Sequence, residues 1–556
     1  MDATIAALEA LRDQLRATQL GLALPSAERA ARIRDELAGQ VDDYLLPRLR
    51  QMEAPLLMVV GGSTGAGKST LVNSLVGEEL SPAGVLRPTT RGPVLACNPE
   101  DVRWFDDDRV LPGLARTTGG EAGPNELRLA PTSRLPAGLA LVDAPDIDSV
   151  VAENRALGAK LLAAADAWLF VTTAARYADA VPWELLAGAR ERGTALALAL
   201  NRVPPDAVGE ISAHLREMLR QRGLDDAELL VIREAVLEGG LIPPAELAPA
   251  RRWLDALSAD AGQRQALVRR TLTGALDTVP ARVGVVETAL AEQRAAAEEL
   301  RADARRAYRR ALEEVDEALR SGSLLRGEVL GRWHEVIGTG EVMRGLETRI
   351  GWVRDRVRAL LTGKPAAEQE LEAAVESSVD AVVIAAADRA AERAARSWRE
   401  HAAGRALLSP QLDAVSPQLA DRIRDEVRAW QAFVFQLVQA EGMSKRTAAR
   451  LASLGVNGAG LAVMILVFAH TGGLTGTELV VASGTSAAGH KVLEAIFGDQ
   501  AVRELAARAR EDLLERVARL LALEEQRFVT AVEPVAPPDD APERLHAAVR
   551  ALQSAR

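Results

Sequence analysis

The sequence predicts an α/β head with a mostly parallel sheet, a long all-α neck and trunk, and an apolar helical hairpin at the tip. Three observations support this fold class. Short apolar segments alternate with helical patterns over residues 55–245, as they do in a parallel sheet covered by helices. Residues 246–447 are helical in pattern almost throughout. Residues 451–469 form a run of nineteen without a charged side chain.

The domain organisation follows from these changes in pattern. A chain of 556 residues exceeds what a single hydrophobic core supports. Because the chain returns from the hairpin as helix, its last helix is expected to pack on the N-terminal helices and form a neck with them. We predict neck helices over 1–52, the head over 55–245, the trunk over 246–447, the hairpin tip over 448–491 and returning C-terminal helices over 492–556.

Charge and cysteine content narrow the function classes. The chain has 67 basic and 78 acidic residues, and its net charge of −11 argues against a nucleic-acid-binding surface. Cys97 is the single cysteine, so neither an intrachain disulfide nor a cysteine-based zinc site is expected. The N-terminal residues show no secretory signal pattern, which predicts a cytoplasmic protein.

Residues 56–70 read LLMVVGGSTGAGKST, and from Gly62 the spacing G-x4-G-K-S matches a phosphate-binding loop. The glycines let backbone N–H groups approach a β-phosphate, and the ammonium group of Lys68 reaches the β- and γ-oxygens. The hydroxyl of Ser69 is expected to ligate Mg²⁺. We therefore expect a nucleoside triphosphate to bind at Gly62, Ser63, Thr64, Gly65, Ala66, Gly67, Lys68, Ser69 and Thr70.

The segment from Ser81 to Arg91 has no periodicity and precedes a predicted strand over residues 93–96. A nucleotide-dependent switch loop at this place needs a threonine, because its hydroxyl and carbonyl complete the shell of Mg²⁺ and the γ-phosphate. Thr89 and Thr90 both qualify, and we favour Thr90.

A predicted strand over residues 139–142 ends in the sequence D-A-P-D, which begins at Asp143. Asp143 is expected to reach Mg²⁺ through water, as in a Walker B element. GTPases usually place a glycine where this chain has Asp146. The backbone N–H of Asp146 is able to bind a γ-phosphate, but its carboxylate is unfavourable there unless it points away. Slow or partner-dependent hydrolysis is therefore expected.

The predicted strand over residues 195–200 leads into the sequence N-R-V-P, at the place of a guanine-reading N/T-K-x-D element. Asn201 is retained, Arg202 replaces the lysine, and Pro204 replaces the base-reading aspartate. Asp206 follows two residues after Pro204, and it takes the place of the base-reading aspartate only if the loop bulges. Guanine specificity is thus a weaker prediction than nucleotide binding.

The phosphate loop, R-P-T-T, D-A-P-D and N-R-V-P, in this order, resemble the Era/dynamin branch of P-loop GTPases over about residues 55–235. The flanking helices and the apolar hairpin resemble the bacterial dynamin-like proteins in particular. The resemblance implies a GTPase head that binds GTP or GDP with Mg²⁺, a helical neck and trunk, and a membrane-binding tip. It also implies a homodimer through GTPase heads or a hetero-oligomer with a related GTPase. Dynamins carry Gln and Ser where this chain has Thr64 and Gly65, so it departs from the pattern that orients water and a monovalent cation.

The apolar run over residues 451–489 has a turn near its middle and a single charged residue, Glu478. About twenty apolar residues span a bilayer, so the first limb is long enough and the second is marginal. The flanks are basic on both sides, which fits a hairpin that enters and leaves from the cytoplasmic face. We predict membrane lipid as its partner, at the inner face of the cell membrane. The alternative is a hairpin buried in the trunk core.

The preferred hypothesis is a dynamin-like, Mg²⁺-dependent GTPase that couples its nucleotide state to membrane binding or remodelling. An Era-type soluble GTPase in ribosome assembly is an alternative, which the acidic charge disfavours. A non-hydrolysing nucleotide-dependent scaffold is another, which Asp146 and Pro204 favour. The predicted site residues beyond the phosphate loop are Thr90 and Asp143 for catalysis, Ser69, Thr90 and Asp143 for the metal, and Asp146, Asn201 and Arg202 for the nucleotide.

Overall fold

The computed structural model describes residues 1–81, 92–120, 123, 126–147, 152–179, 183, 186, 189, 194–258, 260–320, 365–441 and 499–556. The chain divides into two compact units. The first contains Met1–Leu20, Ser26–Glu292 and Pro537–Arg556, and the second contains Gly21–Pro25 and Gln293–Ala536.

The first unit contains an eight-stranded sheet. Its strands are β1 Leu56–Gly62, β2 Val94–Cys97, β3 Ala115–Thr117, β4 Glu126–Pro131, β5 Leu139–Asp143, β6 Ala167–Thr173, β7 Ala195–Val203 and β8 Glu228–Arg233. Their order in the sheet is β3-β4-β2-β5-β1-β6-β7-β8. Only the pairing of β2 with β5 is antiparallel among these described strands, so the predicted mostly parallel sheet is confirmed.

The central strands are buried on both faces, as the apolar sequence of β1 requires. Side chains alternate along a strand, so Leu57 and Val59 pack in the core on one face of the sheet. Leu56, Met58 and Val60 pack in the core on the other face. β3 and β4 were not expected from the sequence. β3 has three residues, none of them buried, and so carries no hydrophobic pattern.

Helices cover the sheet in the first unit, and the helices of the two chain termini pack together there. The last helix, Ala541–Ser554, packs against the first, and the Thr4 hydroxyl donates to the Ala555 carbonyl at 2.8 Å. This is the pairing of the two termini that the sequence suggested. The remaining helices of this unit are Asp2–Ala17, Ala27–Gln40, Leu46–Arg50, Lys68–Val76, Ala152–Ala163, Val208–Gln221 and Pro244–Ser258, with a π-helical turn at Val41–Leu45 and a 3-10 turn at Pro99–Trp104.

Long helices build the second unit around a core of alanine, leucine and aromatic side chains. Trp398 meets Phe528 edge to face, with ring centroids 5.1 Å apart. The helices are Ala261–Arg320, which begins in the first unit, then Pro365–Glu400, Ala402–Leu407, Leu419–Glu441 and Asp499–Val532.

The helix Ala261–Arg320 continues through Pro280. A proline in a helix removes one hydrogen bond, and packing of the surrounding turns compensates. Here Leu276, Val279 and Val283 are all buried in one core.

The predicted hairpin tip, residues 448–491, lies outside the described residues. Among the helices that the structure describes, none is long and apolar enough to cross a membrane. The hairpin and its membrane contact therefore stay predictions from the sequence.

Candidate nucleotide-binding site

The strand order brings the predicted site residues to one edge of the sheet. β5 and β6 both lie parallel to β1, on either side of it. In this register Val60 lies opposite Asp143, and Gly62 lies opposite Val171. Because parallel strands end at the same edge, the loops that follow β1, β5, β6 and β7 meet there.

The loop of residues 63–67 joins β1 to the helix Lys68–Val76 and needs glycine at both ends. Gly62 has φ +150°, and a Cβ atom there would lie 2.0 Å from the carbonyl oxygen of Val171. Gly67 has φ +87°, and its Cβ would lie 2.7 Å from the amide nitrogen of Asn201. At Gly62 a Cβ atom would collide with backbone, and at Gly67 the positive φ strains any larger residue, so both glycines of the G-x4-G-K-S pattern have a structural reason.

The Lys68 side chain folds back along this loop. Its ammonium group donates to the carbonyl oxygens of Gly62 at 3.1 Å and Ser63 at 3.2 Å, and only 6% of the side chain is exposed. It also forms an ion pair with the carboxylate of Asp146, which is 22% exposed. The sequence analysis required this carboxylate to point away from a bound triphosphate. In the structure it contacts the cation that a phosphate would contact.

Asp143 ends β5 and is fully buried. Its carboxylate accepts hydrogen bonds from the hydroxyl groups of Ser69 and Ser81. Burial raises the pKa of the Asp143 carboxyl, while these two hydroxyls and the charge of Lys68 oppose the rise. Among the described residues, no hydrogen-bond donor reaches its other oxygen, Oδ1.

This arrangement fits a hydrated Mg²⁺ ion. Magnesium prefers oxygen ligands, keeps several waters and commonly takes one or two carboxylates beside substrate phosphates. The Ser69 hydroxyl would ligate it directly, and Asp143 would bind one of its waters through the oxygen that lacks a protein donor among the described residues. The ion would neutralise charge on the phosphates. Thr90, the third predicted ligand, lies outside the described residues.

Asn201 holds the end of β7 against the phosphate loop. Its amide nitrogen donates to the Ala66 carbonyl at 2.8 Å, and its amide oxygen accepts from the Arg202 N–H at 3.0 Å. Arg202 is exposed and has φ +54°, a conformation that few residues other than glycine adopt. Asp206 is exposed as well. The structure thus gives Asn201 a role in loop geometry.

The structure adds residues to the site that the sequence analysis missed. Arg176, in the turn after β6, donates to the Thr64 carbonyl at 2.9 Å and to the Asp179 carboxylate at 3.0 Å. No motif marks this arginine. The hydroxyls of Ser63 and Thr172 are buried here, and neither has a hydrogen-bond partner in the described part of the chain.

Asn73 and Ser81 are two further residues that the sequence analysis did not select. Asn73 interrupts the apolar LVNSLV pattern of the helix after the loop, and a buried amide in an apolar face is a usable signal. Thr70, which the analysis did select, accepts at its carbonyl a hydrogen bond from the Ser74 hydroxyl at 2.6 Å.

A parallel-sheet head with these features has the architecture of a P-loop nucleotide-binding domain. Its first strand passes through a glycine-rich loop into a helix. The lysine and serine that begin this helix lie beside the aspartate at the end of the neighbouring strand.

No known protein-family profile matches the chain, and no curated protein sequence matches it. Solved structures do match. Two are chains of an oligomerised bacterial dynamin pair described as providing a mechanism for long-range sensing and tethering of membranes. They are 11% and 9% identical to this chain, with TM-scores of 0.38 and 0.39, and each match covers 99% of this chain and 95% of the other. A third is the LeoA bacterial dynamin GTPase from ETEC, with 12% identity, a TM-score of 0.25, and coverage of 100% of this chain and 97% of the other.

These three solved structures are all bacterial dynamins. Identities of 9–12% and TM-scores of 0.25–0.39 say nothing of activity. Function is therefore proposed from the residues of this chain.

Proposed function

We propose that this protein is a dynamin-like GTPase that hydrolyses GTP with Mg²⁺ and couples its nucleotide state to membrane binding or remodelling. The observation that carries the nucleotide part is the convergence of Lys68, Ser69 and Asp143 at one glycine-rich loop. Three buried polar atoms without a protein partner among the described residues lie at the same edge of the sheet. Buried polar atoms of this kind need a ligand, an ion or water.

In this proposal Lys68 and the loop amides hold the phosphates, and Ser69 and Thr90 hold the metal, with Asp143 acting through water. The carboxylate of Asp146 forms an ion pair with the ammonium group of Lys68, so an incoming triphosphate must displace this carboxylate. Hydrolysis is therefore slow unless a partner moves Asp146. The proposed partner is a second GTPase head, from a homodimer or from a related chain.

Calorimetry of the full chain with GTP and GDP tests the nucleotide part. We expect Lys68→Ala to abolish binding of both without unfolding the protein. Lys160→Ala is the matched control, because it removes another lysine of the head, whose ammonium group lies on the Pro112 carbonyl and Asp43. Unchanged affinity in Lys68→Ala, or an equal loss in Lys160→Ala, would contradict the assignment.

The membrane part rests on the sequence of residues 451–489, with its apolar run and basic flanks. The full chain should float with liposomes, and deletion of this stretch should abolish flotation while GTP binding remains.

Ile465→Arg should weaken flotation, because a cation at mid-membrane costs about 2.5–3.5 kcal/mol. Arg450→Glu should weaken binding to anionic vesicles by about 1 kcal/mol or more, and less so in high salt. Wild-type protein that never floats would exclude membrane binding.

A scaffold that binds nucleotide without turning it over is the second candidate. The ion pair between Lys68 and Asp146 favours it, because the pair opposes placement of a γ-phosphate. Turnover measured with and without liposomes separates the two. A measurable rate that liposomes increase supports the GTPase, and binding without turnover in both conditions supports the scaffold.

A further inference from the structure

A buried set of hydrogen bonds joins the middle of the phosphate-loop helix, Lys68–Val76, to the chain that follows it. The amide oxygen of Asn73 accepts from the backbone N–H groups of Leu80 at 3.0 Å and Ser81 at 2.8 Å. The amide nitrogen of Asn73 donates to the Ser81 carbonyl at 2.8 Å. Asn73 is 2% exposed and Ser81 is 1% exposed. The amide of one side chain therefore fixes the backbone of Ser81 on both sides.

Ser81 in turn contacts the carboxylate of Asp143. Its hydroxyl donates to Oδ2, while Oδ1 has no donor among the described residues. A buried carboxylate rotates about its last side-chain torsion unless its oxygens are held, because this torsion is broad. Ser81 holds Oδ2, the Ser69 hydroxyl also donates to this carboxylate, and Oδ1 stays without a donor among the described residues.

We propose that Ser81, anchored by Asn73, is a positioning residue that keeps Asp143 oriented for the hydrated Mg²⁺ of a bound nucleotide. This proposal rests on the proposed function, since it concerns the metal of that site. Hydrogen-bond partners behind a metal-binding carboxylate orient it, and their loss typically costs about 10–100-fold in metal affinity. The alternative is that the bonds only tie residues 80–81 to the helix, which would affect folding and leave the metal untouched.

The two possibilities differ in a readout that does not depend on turnover. GTP affinity of the full chain is measured with excess EDTA and then over a series of free Mg²⁺ concentrations. For Ser81→Ala we expect unchanged affinity in EDTA and an apparent Mg²⁺ affinity lowered by about tenfold or more. Ser81→Thr keeps the hydroxyl and should restore most of the Mg²⁺ affinity.

Ser416→Ala is a matched control. The Ser416 hydroxyl donates to the buried carboxylate of Glu524 in the second unit, so the variant removes the same kind of bond away from the nucleotide loop. Its Mg²⁺ dependence should equal that of the wild type. Asn73→Asp keeps an acceptor for Leu80 and Ser81 but loses the donor to the Ser81 carbonyl, and its Mg²⁺ affinity should fall between wild type and Ser81→Ala.

The outcomes separate this inference from the proposed function. Mg²⁺-dependent GTP binding by the wild type, with the same Mg²⁺ affinity in Ser81→Ala, would overturn the inference and leave the nucleotide site in place. If Ser81→Ala lost GTP affinity equally in EDTA and in Mg²⁺, the inference would also be overturned, because Ser81 would then act on folding or on the phosphates. A wild type that binds no GTP in either condition would overturn both. If Ser81→Ala melts too early to assay, Asn73→Asp decides by the same comparison.

Discussion

The two edges of the sheet each contain a buried pair of opposite charges, and the pairs differ in how completely they are hydrogen-bonded. At the carboxyl edge Lys68 pairs with Asp146, and at the amino edge Arg48 pairs with Asp166. The cations are similarly buried, at 6% and 7% exposed. Burial of the cation therefore does not distinguish a binding site from a structural contact.

The pair at the amino edge is saturated. Asp166 accepts from the Arg48 guanidinium, from the Leu57 N–H at 2.8 Å and from the Tyr44 hydroxyl at 3.3 Å. Arg48 also donates to the carbonyls of Ala54 and Pro55, both at 3.1 Å. These bonds join the helix Leu46–Arg50 to the start of β1 and β6, beside a small cavity that Arg48 and Asp166 help to line.

The carboxyl edge is not saturated. The hydroxyls of Ser63 and Thr172 and one oxygen of Asp143 are buried without partners in the described part of the chain. Folding normally pairs such atoms, because leaving one unpaired costs about 1–3 kcal/mol. At the amino edge Oε1 of Gln51 also lacks a partner among the described residues, so the two edges differ in how fully their ion pairs are hydrogen-bonded rather than in the presence of unpaired atoms.

The largest expected effect follows from breaking the ion pair between Arg48 and Asp166 at the amino edge. Arg48→Ala leaves the carboxylate of Asp166 buried without its cation and should lower the stability of the head by about 3–5 kcal/mol. Lys68→Ala should lower it by less than about 1 kcal/mol, because Asp146 is partly exposed and able to turn to solvent. Thermal or urea unfolding of both variants checks the contrast. Equal losses would show that the two pairs are alike.

The next largest expected effect is on the recognition of the nucleotide base at the carboxyl edge. Loss of a charged contact to guanine at Pro204 removes about 1.5–3 kcal/mol of discrimination, so GTP should be preferred over ATP by less than in ordinary GTPases. Pro204→Asp should increase the preference. Competition binding measures both. A wild-type preference above roughly 10⁴-fold, over 5 kcal/mol, would mean that another residue such as Asp206 reads the base.

A smaller effect tests Asp146 as a competitor of phosphate. Asp146→Asn removes the negative charge beside Lys68, and we expect GTP affinity to rise about tenfold, or 1.4 kcal/mol. Asp226→Asn is the control, since it removes an exposed carboxylate that precedes β8. Titration calorimetry decides. Weaker binding in Asp146→Asn would mean that the carboxylate helps to hold the nucleotide.

The smallest effect is a pH dependence at the amino edge. Burial raises the pKa of the Asp43 carboxyl above its ordinary value, and the charge of Lys160 opposes the rise. The folded state therefore holds this proton to higher pH than the unfolded state, so the contribution of Asp43 to stability falls as pH rises through that window. Lys160→Met removes the opposing charge, so the pKa of Asp43 in the folded state rises further. The pH range over which stability is lost becomes wider.

The Lys160→Met variant should consequently lose more stability at pH 7 than at pH 4, by a difference below about 1 kcal/mol. Its lost bond to the Pro112 carbonyl is independent of pH and cancels in this difference. Melting temperatures at the two pH values measure it. A loss independent of pH would assign the whole effect to that bond.

Much of the carboxyl edge was predictable because its signals are local. The glycines, Lys68 and Ser69 lie within eight residues, and their spacing alone predicts a phosphate-binding loop. The apolar strands beside it fix which chain ends reach the same edge, so Asp143 was predicted as well. Backbone sterics and hydrophobic periodicity act within a few residues, and they can be recognised without knowing the fold.

The partners of the polar side chains were decided only by the tertiary structure. Arg48 and Asp166 are 118 residues apart, and Ser81 and Asp143 are 62 apart, so no spacing rule relates them. The direction of the Asp146 carboxylate depends on where Lys68 lies after packing. A side chain of this kind is satisfied by whichever donor the fold brings within about 3 Å, and this follows from the whole arrangement of strands and helices. The sequence by itself therefore determined the glycine-rich loop and the strands that present it, and only the folded chain decided which hydrogen-bond partners the buried charges have.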